Sequence, residues 1–330
     1  MSGTLEQALA PREQRGPSFE IWFAVLRDLA SGRALWVRRS HLRSTGGRHG
    51  SAVWAAFYDA ANPARHADAG LLFEGKGPAD PLGAPHAFAR GKLAGHVETA
   101  RGPLEWSFDW QPVLPPSRMG PLWLADSPFV KTRTVVAAPR AAFRGAVTLA
   151  GDRLPFADGR GLVYHIWGTH RAWDLRWIYV PAFDGDSEGW AMEFVSVRPG
   201  AATPWLTWAT LTRDGGLWCT QGLWQMLRGG SRSDFPHVEL RARGPQFSVA
   251  ARATLDTAQL TSYLYRDPGG RPTYIAHGDT SAIGVTLEFE GRRRELRCAR
   301  NAAVEFHGPA PWGGGDPLDP YAPLCAQAGG

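Results

Sequence analysis

The sequence predicts an all-β protein: two antiparallel β-barrels, or strongly curved sandwiches, packed side by side. Three observations carry that expectation. Long amphipathic helical patterns are absent, short runs alternate apolar with polar residues, and Gly-containing turn signals punctuate those runs at short intervals. The chain has 330 residues, and its two halves share this grammar, which points to two β domains of ordinary size. Residues 1–17 read as a loose tail, 18–158 as a first β domain, 159–310 as a second, and 311–330 as a Gly/Pro-rich C-terminal tail.

In chain order, Phe19, Ile21, Phe23 and Val25 alternate with their neighbours. A turn over residues 28–33 (DLASGR) and a return strand over 34–39 (ALWVRR) follow. Residues 51–58 (SAVWAAFY) predict a further strand, and 75–87 a Gly/Pro-rich loop. The clearest strand is 104–110, where Leu104, Trp106, Phe108 and Trp110 occupy one face and Glu105, Ser107 and Asp109 the other. Residues 122–128 read as a connection, 132–137 and 142–149 as two strands, and Asp158-Gly159 as a turn. Beyond it come a strand over 177–183, a turn over 184–188, and a strand bearing Trp190, Met192, Phe194 and Ser196 on one face. Residues 204–212, a hairpin turn at 213–216, and strands over 237–243, 246–255 and 262–265 continue the meander. Val285, Leu287 and Phe289 then alternate up to a turn at Glu290-Gly291, from which 295–298 pairs back. No exact internal repeat is visible.

Composition narrows the function. Net charge is +5, but the basic residues are almost all arginine, with Lys76, Lys92 and Lys131 the lysines, and they are scattered. A nucleic-acid binder concentrates its charge on one element, so nucleic acid is not an expected partner. Cys219, Cys298 and Cys325 are odd in number and form no CxxC pair, and the N-terminus lacks a signal peptide's apolar core. Both features point to a cytoplasmic protein with reduced thiols, peripheral membrane contact staying open. Tryptophan stands out at 15 of 330 residues, and large amphipathic rings fill wide barrels or line sites for flat apolar ligands.

The richest stretch is 159–177 (GRGLVYHIWGTHRAWDLRW). In an extended strand, Tyr164, Ile166 and Gly168 share one face and His165, Trp167 and Thr169 the other. His165 beside Trp167 sets a titratable group against an indole, as a greasy pocket needs; the plainer alternative is a core tryptophan beside a backbone-bonded histidine. His165 and His170 fall on opposite faces, so no metal is expected, and Asp184, Asp186 and Glu188 lack the downstream ligands of a calcium loop. No Gly-rich phosphate loop, HExxH or GxSxG is present, and no cofactor is expected. His165, Tyr164 and Glu193 are the candidate catalytic residues: an acid or imidazolium protonates an alkene and indole faces stabilise the cation. Trp36, Trp54, Trp106, Trp110, Trp167, Trp177, Tyr179 and Met192 are the candidate ligand walls, with Tyr265, Asp267 and His277 as weaker site candidates.

The centre, Tyr164-His165-Ile166-Trp167-Gly168 with Trp177 beyond it, resembles the Asp-His-x-Trp-Gly block of the carotenoid 1,2-hydratase, AttH-like and tocopherol cyclase-like proteins. Residues 31–38 (SGRALWVR) with 53–59 (VWAAFYD), and 265–270 (YRDPGG) with Tyr274 and Ala282, are similar as well and fall in the expected order. The resemblance implies two lipocalin-like barrels and an apolar ligand, often isoprenoid or polycyclic, near their junction. It also implies cofactor-free hydration, isomerisation or cyclisation, although relatives include members with no established activity. Two departures bear on carotenoid hydration: Tyr164 stands where the aspartate is usual, and the hydratase's downstream tyrosine–aspartate pair meets Met192-Glu193-Phe194. The alternatives are a lipid or pigment carrier and a carbohydrate-binding sandwich with exposed tryptophans. The sequence leaves oligomeric state open.

Overall fold

The computed structural model describes residues 4–12, 14–83, 85–118, 130–313 and 316–325. Ten strands form a first antiparallel sheet: β1 (Ser18–Asp28), β2 (Arg33–Arg43), β3 (His49–Asp59), β4 (Ala67–Glu74), β5 (Ala87–Ala89), β6 (Lys92–Thr99), β7 (Gly102–Pro112), β8 (Ser117–Arg118), β9 (Thr132–Leu149) and β10 (Asp152–Gly168). Their order is β4-β3-β2-β1-β10-β9-β7-β6-β5, with β8 paired to β9. A second sheet follows: β11 (Asp174–Val180), β12 (Ala191–Arg198), β13 (Leu206–Arg213), β14 (Gly216–Cys219), β15 (Gly230–Asp234), β16 (His237–Arg243), β17 (Phe247–Thr254), β18 (Thr261–Arg266), β19 (Pro272–Phe289) and β20 (Arg292–Gly308). Its order is β14-β13-β12-β11-β20-β19-β17-β16-β15, with β18 on β19. The second sheet therefore repeats the first strand for strand. A repeat of this kind needs only matching alternation and turns, so residue identities need not recur.

Both sheets curl, β3 and β4 approaching β6 in one and β12 and β13 approaching β16 in the other, as two lipocalin-like domains do. Three apolar clusters result. One fills the first barrel, with Leu104, Trp106, Phe108, Trp110 and Phe143. One fills the second, with Trp190, Met192, Phe194 and Phe289. The third lies between the domains, built from the opposite faces of the same strands: Phe19, Trp36, Trp54 and Tyr164 from one, Trp177, Tyr179, Tyr263 and Tyr265 from the other. This seam explains the near-continuous burial of β1, β2, β3, β11 and β12, which are covered on both sides.

Several expectations are corrected. Residues 132–149 form one strand, not two: Pro139 sits where β9 gains residues against β10, between Ala138↔Val163 and Ala141↔Gly161, and a bulge has no ladder bond for proline to break. Asp158-Gly159 is not a turn but a second bulge inside β10, where the Asp158 amide donates to Asp28 Oδ1 (2.8 Å) at the β1–β2 turn. The sheet-to-sheet passage thus falls between Gly168 and Asp174 rather than at 158/159. The N-terminal segment is docked rather than loose. A short helix α1 (Leu5–Leu9), with a Thr4/Gln7 capping box, buries Leu5 and Ala8 against the first barrel. A second short helix, α2 (Leu223–Leu227), follows β14, and a third, α3 (Ala322–Cys325), buries Leu324 at the seam. The stretch 122–128, read from the sequence as a connection, lies outside the described residues.

Close approach to β1 fixes Gly161. A Cβ on Gly161 would lie 2.0 Å from the Val25 carbonyl oxygen on β1. Gly161→Ala is expected to destabilise the protein by about 1–3 kcal/mol through forced backbone displacement, read by urea unfolding; an unchanged midpoint would show that β1 and β10 separate freely here.

Candidate functional site

Alternation along β10 sends its two most chemically capable neighbours to opposite sides. His165 points into the mouth of the first barrel and is fully buried. Its Nδ1 lies 2.7 Å from the Ala8 carbonyl oxygen of α1, and its Nε2 lies 2.7 Å from Glu20 Oε1. A carbonyl only accepts, so Nδ1–H donates there, while Nε2 hydrogen-bonds the Glu20 carboxyl on the other side. Trp22 stacks on the imidazole at 4.8 Å, and Trp167 packs at the same centroid distance. With both nitrogens engaged and indoles against the ring, His165 ties the N-terminal segment to the barrel. A cavity in the first barrel lined by Val37, Val53, His86, Leu93 and Trp106 measures about 20 Å³, room for one water.

Tyr164 enters the seam instead. Its hydroxyl donates to Glu193 Oε1 across the domain boundary, and Trp177 Nε1 donates to the same oxygen at 2.7 Å. Phe23 stacks on Tyr164 (4.8 Å) and meets Trp177 edge-on (5.9 Å). Burial pushes the Glu193 carboxyl up to about 7; the two hydrogen bonds oppose that shift without cancelling it. Burial and the neighbouring carboxylate also raise Tyr164 well above its ordinary value, so the phenol stays a donor. Tyr179 beside them is raised by burial as well. The result is a carboxyl that holds a proton near neutrality, with both donors on Oε1 and Oε2 left to carry it. Phe23, Ile166, Leu175, Val197 and Trp208 form a half-buried apolar margin around this end of the seam.

Of the sequence candidates, then, Tyr164, Glu193, Trp177 and Tyr179 come together, and Trp36 and Trp54 lie farther along the same seam. His165 and Trp167 sit on the other face of β10. Trp106 and Trp110 belong to the first barrel's core and Met192 to the second's. His277 is buried in the seam between Asp279 (3.3 Å) and Glu305 (3.7 Å), and Asp279 also faces Arg27 of the first domain (3.4 Å). Desolvation pushes His277 down, but the two carboxylates outweigh it and lift it to about 9. Arg27, Arg38 and Asp279 went unread in the sequence. The signal was there for Arg38, which alternation places on one face with Trp36, a charge among core positions.

Among the described residues no group of three or more His, Cys, Asp or Glu is placed to hold a metal ion, and no helix is long and apolar enough to cross a membrane. No protein-family profile matches the chain, and no curated protein sequence does. Solved structures do. Kievitone hydratase from Nectria haematococca superposes with a TM-score of 0.52 at 10% identity, covering 88% of each chain. The fold is shared with a hydratase. An AttH-like protein from Nitrosomonas europaea gives 0.50 at 13% identity, covering 92% of this chain and 95% of that one. At these identities the likeness is one of fold, and chemistry has to be argued from the site.

Proposed function

We propose that this protein is a cofactor-free enzyme acting on an apolar, unsaturated small molecule held in the domain seam, with Glu193 as its acid. This reading places it with the carotenoid 1,2-hydratase, AttH-like and tocopherol cyclase-like proteins, and acid-initiated hydration, isomerisation and cyclisation all begin with the same step, protonation of an alkene. The observation that carries it is the Glu193 carboxyl, buried among aromatic rings yet held near 7. A general acid works best with a pKa close to the operating pH. Protonated Glu193 gives its Oε2 proton to one alkene carbon, and the π electrons form the new C–H bond. The carbocation left on the neighbouring carbon faces Phe23 and Trp177, whose ring quadrupoles favour it. Tyr164 and Trp177 donate to the carboxylate as it forms. That carboxylate then takes a proton back, from an adjacent carbon in isomerisation or cyclisation, or from water as it adds in hydration.

The test starts by extracting the purified protein with organic solvent and identifying the released compound by mass spectrometry. Incubated with that compound in D₂O, the wild type is expected to incorporate deuterium at carbon, and Glu193→Gln to lose at least 10²-fold in rate, the usual scale for a general acid. The wild-type rate should fall above about pH 7, where Glu193 ionises. A compound recovered unlabelled from the wild type would make the protein a carrier.

A further inference from the structure

At the other end of the seam a buried arginine, Arg38, and a mostly buried one, Arg171, meet without enough negative charge to match them. Arg38 on β2 is 2% exposed, and its Nε and Nη2 have no hydrogen-bond partner. No carboxylate forms a salt bridge with it among the described residues; its guanidinium lies over Tyr265 at 3.7 Å and over Trp54 at 5.3 Å. Arg171 approaches the same Tyr265 ring at 4.7 Å, and its Nε makes no hydrogen bond. The nearest carboxylate, Asp267, is already committed. Its Oδ1 accepts the Arg171 backbone amide (2.8 Å) and its Oδ2 the Arg271 guanidinium (2.8–2.9 Å), leaving Arg171 Nε at 3.9 Å. Burial and then the nearby Arg38 charge push Arg171 down to about 10, and the Tyr321 hydroxyl, held on Ser40 Oγ at 2.8 Å, feels both cations. Buried charges are ordinarily paired, and an unpaired one asks for a counter-ion.

We propose that Arg38 and Arg171 are the anion-binding end of the seam, taking the carboxylate of an otherwise apolar small molecule. The proposal rests on reading the seam as the ligand site and adds the substrate class to it. Arg38, Phe23 and Tyr164 lie in one row across β2, β1 and β10, each directly paired with the next. Two strand spacings separate the Arg38 and Tyr164 backbones by about 10 Å. One molecule therefore spans both ends: its carboxylate at Arg38 fixes which carbon stands before Glu193, while Phe23 covers the stretch between. Arg38 offers the planar fork that suits a carboxylate.

The probes are cis-parinaric acid and its methyl ester, identical except for the charge, with binding read by fluorescence at pH 8. Wild-type protein is expected to bind the acid about tenfold or more tightly than the ester, the size of a charge-assisted hydrogen-bonded pair. Arg38→Met should erase that preference while keeping the ester's affinity, and Arg38→Lys should keep part of it. Without ligand, Arg38→Met should melt at or above the wild-type temperature, because an uncompensated buried charge has gone. Should Arg38→Met not fold, Arg171→Met carries the same acid-against-ester readout. Equal wild-type binding of acid and ester would overturn the anion subsite and leave the apolar seam standing; binding of neither would overturn both. A preference that survives in Arg38→Met, or a large fall in its melting temperature, would show that Arg38 serves packing against Tyr265 instead.

Discussion

Asp279→Ala is expected to destabilise the protein by about 3–5 kcal/mol, the cost of removing one partner from a buried ion pair. Asp279 is fully buried and serves two cations at once, Arg27 from the first domain at 3.4 Å and His277 at 3.3 Å. Arg27 keeps only the Arg300 carbonyl (3.1 Å) and Asn301 Oδ1 (3.4 Å) afterwards, so its charge stays in the seam without a counter-ion. Urea unfolding measures the loss. The pair itself need not be net stabilising, because desolvating both charges offsets their attraction, so Arg27→Met with Asp279→Leu should recover most of what Asp279→Ala removes. The sign with pH follows from His277. Its folded value, about 9, lies above the ordinary 6.5, so its contribution is fully present below 6.5 and fades as pH rises through 9. Wild-type stability should therefore carry a downward slope over that window that is shallower in Asp279→Ala. An Asp279→Ala protein with unchanged unfolding would mean that water reaches Arg27 and His277.

What the sequence made legible was local. The alternation of Leu104, Trp106, Phe108 and Trp110 against Glu105, Ser107 and Asp109 appears in the structure as buried and exposed faces of β7. The opposition of Tyr164 and His165 on β10 holds as well, because a strand's period of two leaves no choice. What alternation does not carry is which face meets which. Nothing local says that Tyr164 faces Glu193 from another domain while His165 faces α1, or that Arg27 and Asp279, 252 residues apart, meet in the seam. Bulges misled for a related reason. Asp-Gly favours a turn in isolation, but at 158–159 the sheet absorbs the extra residue, and the Asp158 amide finds its acceptor on Asp28. Pro139 likewise reads as a strand end until a bulge gives it a place.

Glu193→Gln should change stability in a direction that depends on pH, and this separates a buried acid from an ordinary polar contact. The folded carboxyl sits near 7 against an ordinary 4.5, chiefly through burial, so between those values the folded state holds a proton that the unfolded chain has released. More protons bound in the folded state means that stability falls as pH rises from about 4.5 to about 7 and stays reduced above it. The whole penalty is about 3 kcal/mol at the usual free-energy cost per pKa unit. Glutamine keeps an oxygen to accept from Tyr164 and Trp177 and never ionises. Glu193→Gln is thus expected to match the wild type near pH 4 and to exceed it by up to about 3 kcal/mol at pH 8, read by urea unfolding at both values. An acid retained at that cost would be a stability–function trade-off: the residue that weakens the folded protein at pH 8 is the one we propose as the proton donor at pH 7. A Glu193→Gln difference that stays constant from pH 4 to 8 would mean the carboxyl titrates alike folded and unfolded, and Glu193 would then lose its standing as the seam's acid.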